Sequence, residues 1–426
     1  MKASLLKKLG RVKTVPTDWI LTTVGNVCSV RNDLRKPLST EERAKIQGPY
    51  PYYGPTGILD FIDHHLAEGK FALIGEDGDH FLKPNQKAQT ILVNGKFNVN
   101  NHAHIIEGTD DCTSEWFFIY FHHRDITHLI SRQGASRYKL NKATLNKLPI
   151  LVPPIKEQLE IYKLLTTWDS AIEKTEALIT LKKQIRNSSA NRLLFGQDRV
   201  LDKKRGSKYQ NAKWFNVPHD WSITKIQDVA REVVERNSCE SKYTVLSCSK
   251  YIGFVESLKY FKKKVYSDNT ENYKIIRLGE FGYPSNHIEE GSIGLQNLCD
   301  TGIVSPIYTV FRVNDDQINS DYLYKLLKTD IYRHIFQAST SSSVDRRGSL
   351  RWKEFSKIEI PLPDINEQNK IANTINSFDR EIHLLKELLE KYRLQKRALM
   401  QKLLTGEWQI RDISEVSEET AKEMIA

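Results

Sequence analysis

Apolar residues recur at alternating steps of four and three along two stretches of the chain. In the later stretch they are Ile371, Ile375, Phe378, Ile382, Leu385, Leu389 and Tyr392, and the register resumes at Leu399 and Leu403 after Lys396. In the earlier stretch they are Ile161, Leu165, Trp168, Ile172, Thr175 and Ile179, followed by the polar Lys182 and Arg186. This is the seam of a heptad helix. Pro153-Pro154 and Pro361/Pro363 mark the starts, because proline is tolerated at a helix beginning. Gly196 and Gly406 mark the stops, where a left-handed cap suits glycine. A helix of about 40 residues spans about 60 Å, too long for an ordinary core helix. Its plainest use is a long helical hairpin for dimerisation.

The two stretches are copies of one module. Residues 153–196 align without a gap on 363–406 at an offset of 210, with identities that include Pro153/Pro363, Glu157/Glu367, Gln158/Gln368, Ile161/Ile371, Asp169/Asp379, Leu178/Leu388 and Gly196/Gly406. The repeat is larger than the helix. Val15-Pro16-Thr17-Asp18-Trp19 returns as Val217-Pro218-His219-Asp220-Trp221 at an offset of 202. Each half thus runs from a tryptophan-containing entry, through about 130 residues, into a long helix.

Between entry and helix the bodies read as β-rich and scarcely resemble each other. In the first, residues 69–75 predict a strand ended by the turn Glu76-Asp77-Gly78-Asp79. Thr90 to Val93 followed by Asn94-Gly95 predicts a hairpin, and Asn98 to Ile106 a further strand. In the second, residues 273–278, 291–295 and 306–312 read as strands, and residues 198–213 as a polar, basic linker.

Charge adds a partner class. The net charge is +10. Six acidic residues against Arg411 and Lys422 give residues 407–426 a charge of −4, so the first 406 carry +14, which favours a polyanion. Five cysteines, odd in number and without a CxxC pair, fit a reducing cytoplasm. The first ten residues lack the apolar core of a signal peptide, and no run approaches 18 apolar residues. A cytoplasmic location is expected.

Each body ends in a related passage, Gly134 to Leu140 and Asp345 to Leu350, in which Arg137 meets Arg347 at the same offset of 210. A small-residue loop with an arginine suits a phosphate, since its amides approach closely and the guanidinium clamps. The candidate nucleic-acid contacts of the first body are Tyr52, Tyr53, Asn100, His102, Gln133, Ser136, Arg137, Tyr138 and Lys139. Those of the second are Ser285, Asn286, Ser342, Arg346 and Arg347. Tyrosine reaches phosphates, and serine or asparagine reaches base edges; core aromatics beside turns and solvated loops explain the same residues equally simply.

No catalytic residue is identified. GxxxxGK[ST], GxGxxG and NPPY- or DPPY-like tetrapeptides are absent from the sequence. His102 and His104, two apart on an expected strand, have no cysteine at ligand spacing, so no metal site is expected. The carboxylates of Glu76, Asp77 and Asp79 are expected in a hairpin turn rather than on a cation.

The chain resembles the specificity (S) subunit of type I restriction-modification enzymes over nearly its whole length. The resemblance is carried by LPILVPPIKEQ (148–158), IPLPDINEQNKIA (360–372), the two heptad helices, and LLTG at Leu403–Gly406. The first helix differs in ending Leu193-Leu194-Phe195-Gly196 and in lacking the alanine that follows Ile371 in the second. The resemblance implies an α+β chain in which two β-rich target recognition domains alternate with two long helices, packed as an antiparallel coiled coil with pseudo-two-fold duplication. The expected boundaries are 1–150 for the first domain with its lead-in, 151–197 for the central helix, 198–214 for a linker, 215–360 for the second domain, 361–406 for the distal helix and 407–426 for an acidic tail. Each domain is expected to read half of a bipartite, asymmetric site in double-stranded DNA. Methylation (M) and restriction (R) subunits are expected to dock on the helices, at the coiled-coil positions Ile161, Leu165, Trp168, Ile172, Ile371, Ile375, Phe378, Ile382, Leu385 and Leu389. No cofactor is expected on this chain; S-adenosylmethionine, ATP and Mg belong to the partner subunits. The alternatives are a coiled-coil scaffold without sequence-specific DNA binding and a stand-alone nuclease or methyltransferase.

Overall fold

The computed structural model describes residues 2–9, 12, 14–84, 87–133, 137–200, 208–238, 243–341 and 349–410. The chain forms two compact units, 1–176 with 388–426, and 177–387. Both long helices are present, Ile155–Leu194 and Ile365–Leu403. Each helix therefore contributes one part to either unit.

Unit 1 is built on a six-stranded sheet in the order Ser29–Val30, Ala103–Glu107, Ala67–Gly75, Thr90–Val99, Gln47–Tyr53, Ile58–Ile62. The expected hairpin at Asn94-Gly95 is not formed. The strand runs straight through it, with Gly95 opposite Gly69 and Asn94 opposite Lys70. Both glycines have positive φ, +99° and +127°, so the pair lets the ladder bend without ending. The chain turns instead at residues 100–102, which puts His102 in the turn and only His104 on a strand. The expected turn at 76–79 is also replaced: Asp77–Gly78 pairs antiparallel with Arg137–Lys139, which pairs with Ser131–Gln133.

Unit 2 carries two four-stranded sheets. One orders Ala230–Val233, Tyr308–Val313, Phe281–Pro284 and Gly294–Leu295; the other orders Gly253–Glu256, Thr244–Ser249, Thr301–Val304 and Lys274–Arg277.

The two bodies differ in topology and share a base. The entry strand of each pairs antiparallel with the strand that leads into the helix, Ile20 with Val152 through Thr23 with Pro149, and Ser222 with Leu362 through Lys225 with Glu359. The duplicated sequence marks make this base. Trp19 Nε1 donates to Glu157 Oε2 at 3.0 Å, and Trp221 Nε1 to Glu367 Oε2 at 3.2 Å. The neighbouring glutamines clamp the chain before a body helix. Gln158 Oε1 accepts from Thr113 N at 2.9 Å, and Gln368 Oε1 from Asn319 N at 2.8 Å. Thr113 and Asn319 are themselves the side-chain N-caps of helices Ser114–Phe121 and Ser320–Leu327. Gly406 and Gly196, at φ +72° and +68°, pack on Pro16 and Pro218, where a Cβ would come within 2.7 and 2.4 Å.

The heptad seam is internal. Ile161 and Leu165 belong to the core of unit 1 with Trp116 and Leu403; Ile371 and Ile375 belong to the core of unit 2 with Leu193 and Tyr322. Ile382 and Leu389 are buried, while Trp168, Ile172, Phe378 and Leu385 are half-buried. The rings of Trp168 and Tyr392 meet edge to face at 5.6 Å. Within each unit the paired residues run in opposite directions: Asp169 with Lys396 and Glu176 with Arg393 in unit 1, Lys182 with Glu381 and Arg186 with Asp379 in unit 2. Lys182 and Arg186 do not end the seam; they close it with ion pairs.

Arg199, at the start of the polar, basic linker, has a buried side chain, 5% exposed. It donates to Asp220 at 2.9 and 2.8 Å and to Glu367 at 2.7 and 2.8 Å. It thereby ties the end of the first helix to the entry and to the start of the second helix, all inside unit 2.

Candidate nucleic-acid interface

Unit 1 holds a cleft of about 370 Å³ between residues 37–43 and the turn at 100–102. It brings Tyr52, Asn100 and His102 together with Arg43, as three of the predicted residues. Their environments separate them. Tyr52 is fully buried, donates to Lys36 O at 2.8 Å and accepts from Leu38 N at 2.9 Å. Its hydroxyl proton is spent on holding residues 36–38, and burial raises its pKa, which keeps the hydroxyl protonated. Asn100 is 8% exposed and its Oδ1 accepts from the His102 amide at 2.8 Å, which shapes the turn. His102 is exposed, with Nδ1 3.1 Å from Asp77. Tyr53 is half-buried with its ring edge on Phe97 at 6.1 Å.

The passage beside this cleft is held from below. His104 is 1% exposed; its Nε2 donates to Leu140 O at 2.6 Å and its Nδ1 accepts from Asn32 at 2.9 Å. Burial, the leading cause, lowers its pKa and keeps the ring neutral. Lys139 Nζ lies 3.8 Å from Glu76, which also takes Arg35 at 2.8 Å. Asp79 takes Lys87 at 2.8 Å. Glu76 and Asp79 thus have lysine or arginine partners, and Asp77 faces the His102 ring. Tyr138 packs partly on the core. Gln133 and Arg137 occupy facing strand positions, and Ser136 lies outside the described residues.

Unit 2 holds the larger cleft, about 740 Å³. Ser285 and Asn286 lie on one side, Ser349, Arg351 and Trp352 on another, and Glu232, Lys274 and Thr309 on the strands between. Ser285 is buried and its hydroxyl donates to Ile307 O at 2.9 Å, so it fixes the wall. Asn286, half-buried, has no side-chain hydrogen bond among the described residues. Lys274 Nζ is 3.9 Å from Glu232; burial lowers the lysine pKa, which the Glu232 charge partly offsets. Ser342, Arg346 and Arg347 lie outside the described residues, immediately before Ser349. Sequence reasoning missed Glu232, Lys274, Arg351 and Trp352. The one available signal was that Arg351-Trp352 directly follows the arginine loop.

Of the predicted docking positions, Ile161, Leu165, Ile371, Ile375, Ile382 and Leu389 are buried, and Trp168, Ile172, Phe378 and Leu385 are half-buried. The helices expose other apolar residues more fully, among them Leu178 at 39% and its repeat Leu388 at 38%, with Leu159, Leu181, Ile185, Leu384 and Leu394.

Two β-rich bodies of different topology, each locked by the same tryptophan–glutamate bond to a long helix, define a duplicated recognition chain. The type I restriction modification DNA specificity domain matches residues 16–183 and 218–391, more than half of the sequence, and the chain belongs to that family. It is 21% identical over 421 residues to the Type I restriction enzyme MjaVIII specificity subunit of Methanocaldococcus jannaschii, covering 94% of this chain and 95% of the relative. It is 23% identical over 365 residues, 83% of this chain and 86% of the other, to a Haemophilus influenzae chain provisionally assigned as a type I restriction enzyme specificity subunit. The S subunit of a type I restriction-modification system from M. genitalium has a similar fold, at a TM-score of 0.54 and 14% identity over 93% of this chain and 98% of that one. No helix among the described residues is long and apolar enough to cross a membrane.

Proposed function

We propose that this chain is the DNA-recognition subunit of a type I restriction-modification complex and performs no chemistry itself. The observation that carries the reading is that the family match falls once on each half, 16–183 and 218–391, while the clefts of the two halves are built from different residues. Like scaffolds with unlike clefts suit one asymmetric, bipartite duplex site, one half read by each unit. Methylation and restriction subunits dock on the helices through exposed residues such as Leu178 and Leu388. S-adenosylmethionine, ATP and Mg are bound by those subunits.

The test is to reconstitute the chain with its methylation subunits, modify plasmid DNA and map the methylated bases. One split, non-palindromic sequence is the expected result. Equal binding to all duplexes would favour the scaffold alternative, and methyl transfer or cleavage by this chain alone would make it an enzyme.

A further inference from the structure

Unit 2 carries a segment that neither its cleft nor its helix pair uses. Residues 250–266, KYIGFVESLKYFKKKVY, hold five lysines against one carboxylate, Glu256. They form a turn, the strand Gly253–Glu256, the single helical turn Ser257–Tyr260 and a loop. Gly253 anchors the segment: at φ +81° a Cβ there would meet Tyr324 Oη at 2.8 Å. Phe254 is buried beneath it. The outer side chains reach solvent, with Tyr251 81% and Tyr260 46% exposed and Lys262 and Lys263 exposed as well.

Both ends of the segment contact residues that adjoin the cleft wall. Lys250 Nζ is 3.9 Å from Glu290, and Glu290 is 3.5 Å from His287 on the cleft wall. At the other end Tyr266 packs with Tyr273, Ile275 and Ile303, and Ser267 N donates to Tyr273 Oη at 3.3 Å. The residue after Tyr273 is Lys274, which lines the cleft. Lys259 and Lys264 are held by Glu256 and Asp268, whereas Lys262 and Lys263 have no carboxylate partner among the described residues. A merely solvated loop accounts for the lysines but not for the tyrosines left in water beside them. A sugar–phosphate backbone accounts for both, since ammonium groups neutralise phosphates and tyrosine hydroxyls donate to them.

We propose that residues 250–266 form a sequence-independent flank of the unit 2 cleft, with Lys262 and Lys263 on backbone phosphates of duplex DNA and Tyr251 and Tyr260 against the same backbone. This rests on the reading that unit 2 binds DNA. The double variant K262A/K263A, with both side chains exposed, is compared with wild type and with K262R/K263R in the complex with methylation subunits. The dissociation constant for a target duplex and for an unrelated duplex is measured from 50 to 200 mM salt. Two lost phosphate contacts reduce the slope of log affinity against log salt by about 1.8 units on both duplexes, with arginine restoring it and the methylated sequence unchanged. An unchanged slope overturns the proposal. So does intact DNA binding with lost association of the methylation subunits, which would make the segment a protein-docking surface. If the wild type itself prefers no sequence, the functional reading falls separately, while the slope on the unrelated duplex still decides the role of the lysines.

Discussion

The indole of Trp221 donates to the buried carboxylate of Glu367, and Arg199 donates to both oxygens of the same carboxylate. Trp19 and Glu157 repeat the first of these bonds in unit 1. Glu367 is fully buried, so its charge depends on donors such as these. Glu367→Ala strands Arg199 with Asp220 alone. A loss of about 3–5 kcal/mol from unit 2 is expected, the usual cost of breaking a buried pair from one side. Urea unfolding followed by tryptophan fluorescence measures it. A midpoint equal to wild type would show that the bond does not hold the base together.

These bonds explain why the entry and helix-start motifs were legible in sequence. Each motif supplies half of one hydrogen bond, so neither half can drift in either copy. The helices were legible for another reason, because a heptad seam is a local pattern. The bodies were not, because their pairings are distant. Tyr52 lies beside Asn98 in a parallel pair across 46 positions, and the local Asn94-Gly95 signal loses to a ten-residue ladder that continues through it. The burial of the Arg199 side chain left no mark in the basic linker, because its two carboxylates stand 21 and 168 residues away. The clefts gather residues from separate strands, so Glu232 and Lys274 left no mark at all.

His80 makes unit 1 acid-sensitive. It is 1% exposed, closed over by Gly75 and Gly78, and burial pushes its pKa down to about 4. In the unfolded chain a histidine takes its proton near pH 6.5. Between those values the unfolded state binds more protons, so stability rises with pH through this window and is lost on acidification. The slope contributed is up to about 1.4 kcal/mol per pH unit. His80→Phe removes the titration. Its unfolding free energy is expected to fall less than that of wild type between pH 6.5 and 4.5, whatever its value at pH 7. Parallel profiles would mean that the ring is protonated in the folded state.

Asn286 lines the unit 2 cleft with no side-chain hydrogen bond among the described residues, so the proposed function gives it a base edge to read. Asn286→Ala is expected to relax discrimination at one base pair by about 1–3 kcal/mol, leaving the salt slope unchanged. Methylation of a library randomised in one half-site reports this directly. A uniform loss over all positions would place Asn286 on the backbone instead.

Leu178 and Leu388 are the same repeat position, exposed alike on the two helices. Replacement of either by glutamate adds a charge to a solvated face, so the fold should hold, with a change within about 0.5 kcal/mol. Each change should weaken association with methylation subunits, and the double change should weaken it further. Co-elution in size-exclusion chromatography tests this. Full assembly by the double variant would move docking off these two positions.

The paired strands at the base make each body exchangeable. In unit 2, Ser222–Lys225 and Glu359–Leu362 lie side by side in register, so the chain enters and leaves the body at one place. Trp221 and Glu367, just outside those strands, keep the base closed whatever the body between them contains. Replacing residues 226–358 by the corresponding body of a relative should therefore preserve folding and assembly. It should change one half of the methylated site and leave the other half as it was. Mapping methylated bases before and after the exchange distinguishes the outcomes. If both halves changed together, recognition would be a property of the two units acting jointly, and the duplicated base would be only a device for holding the helices.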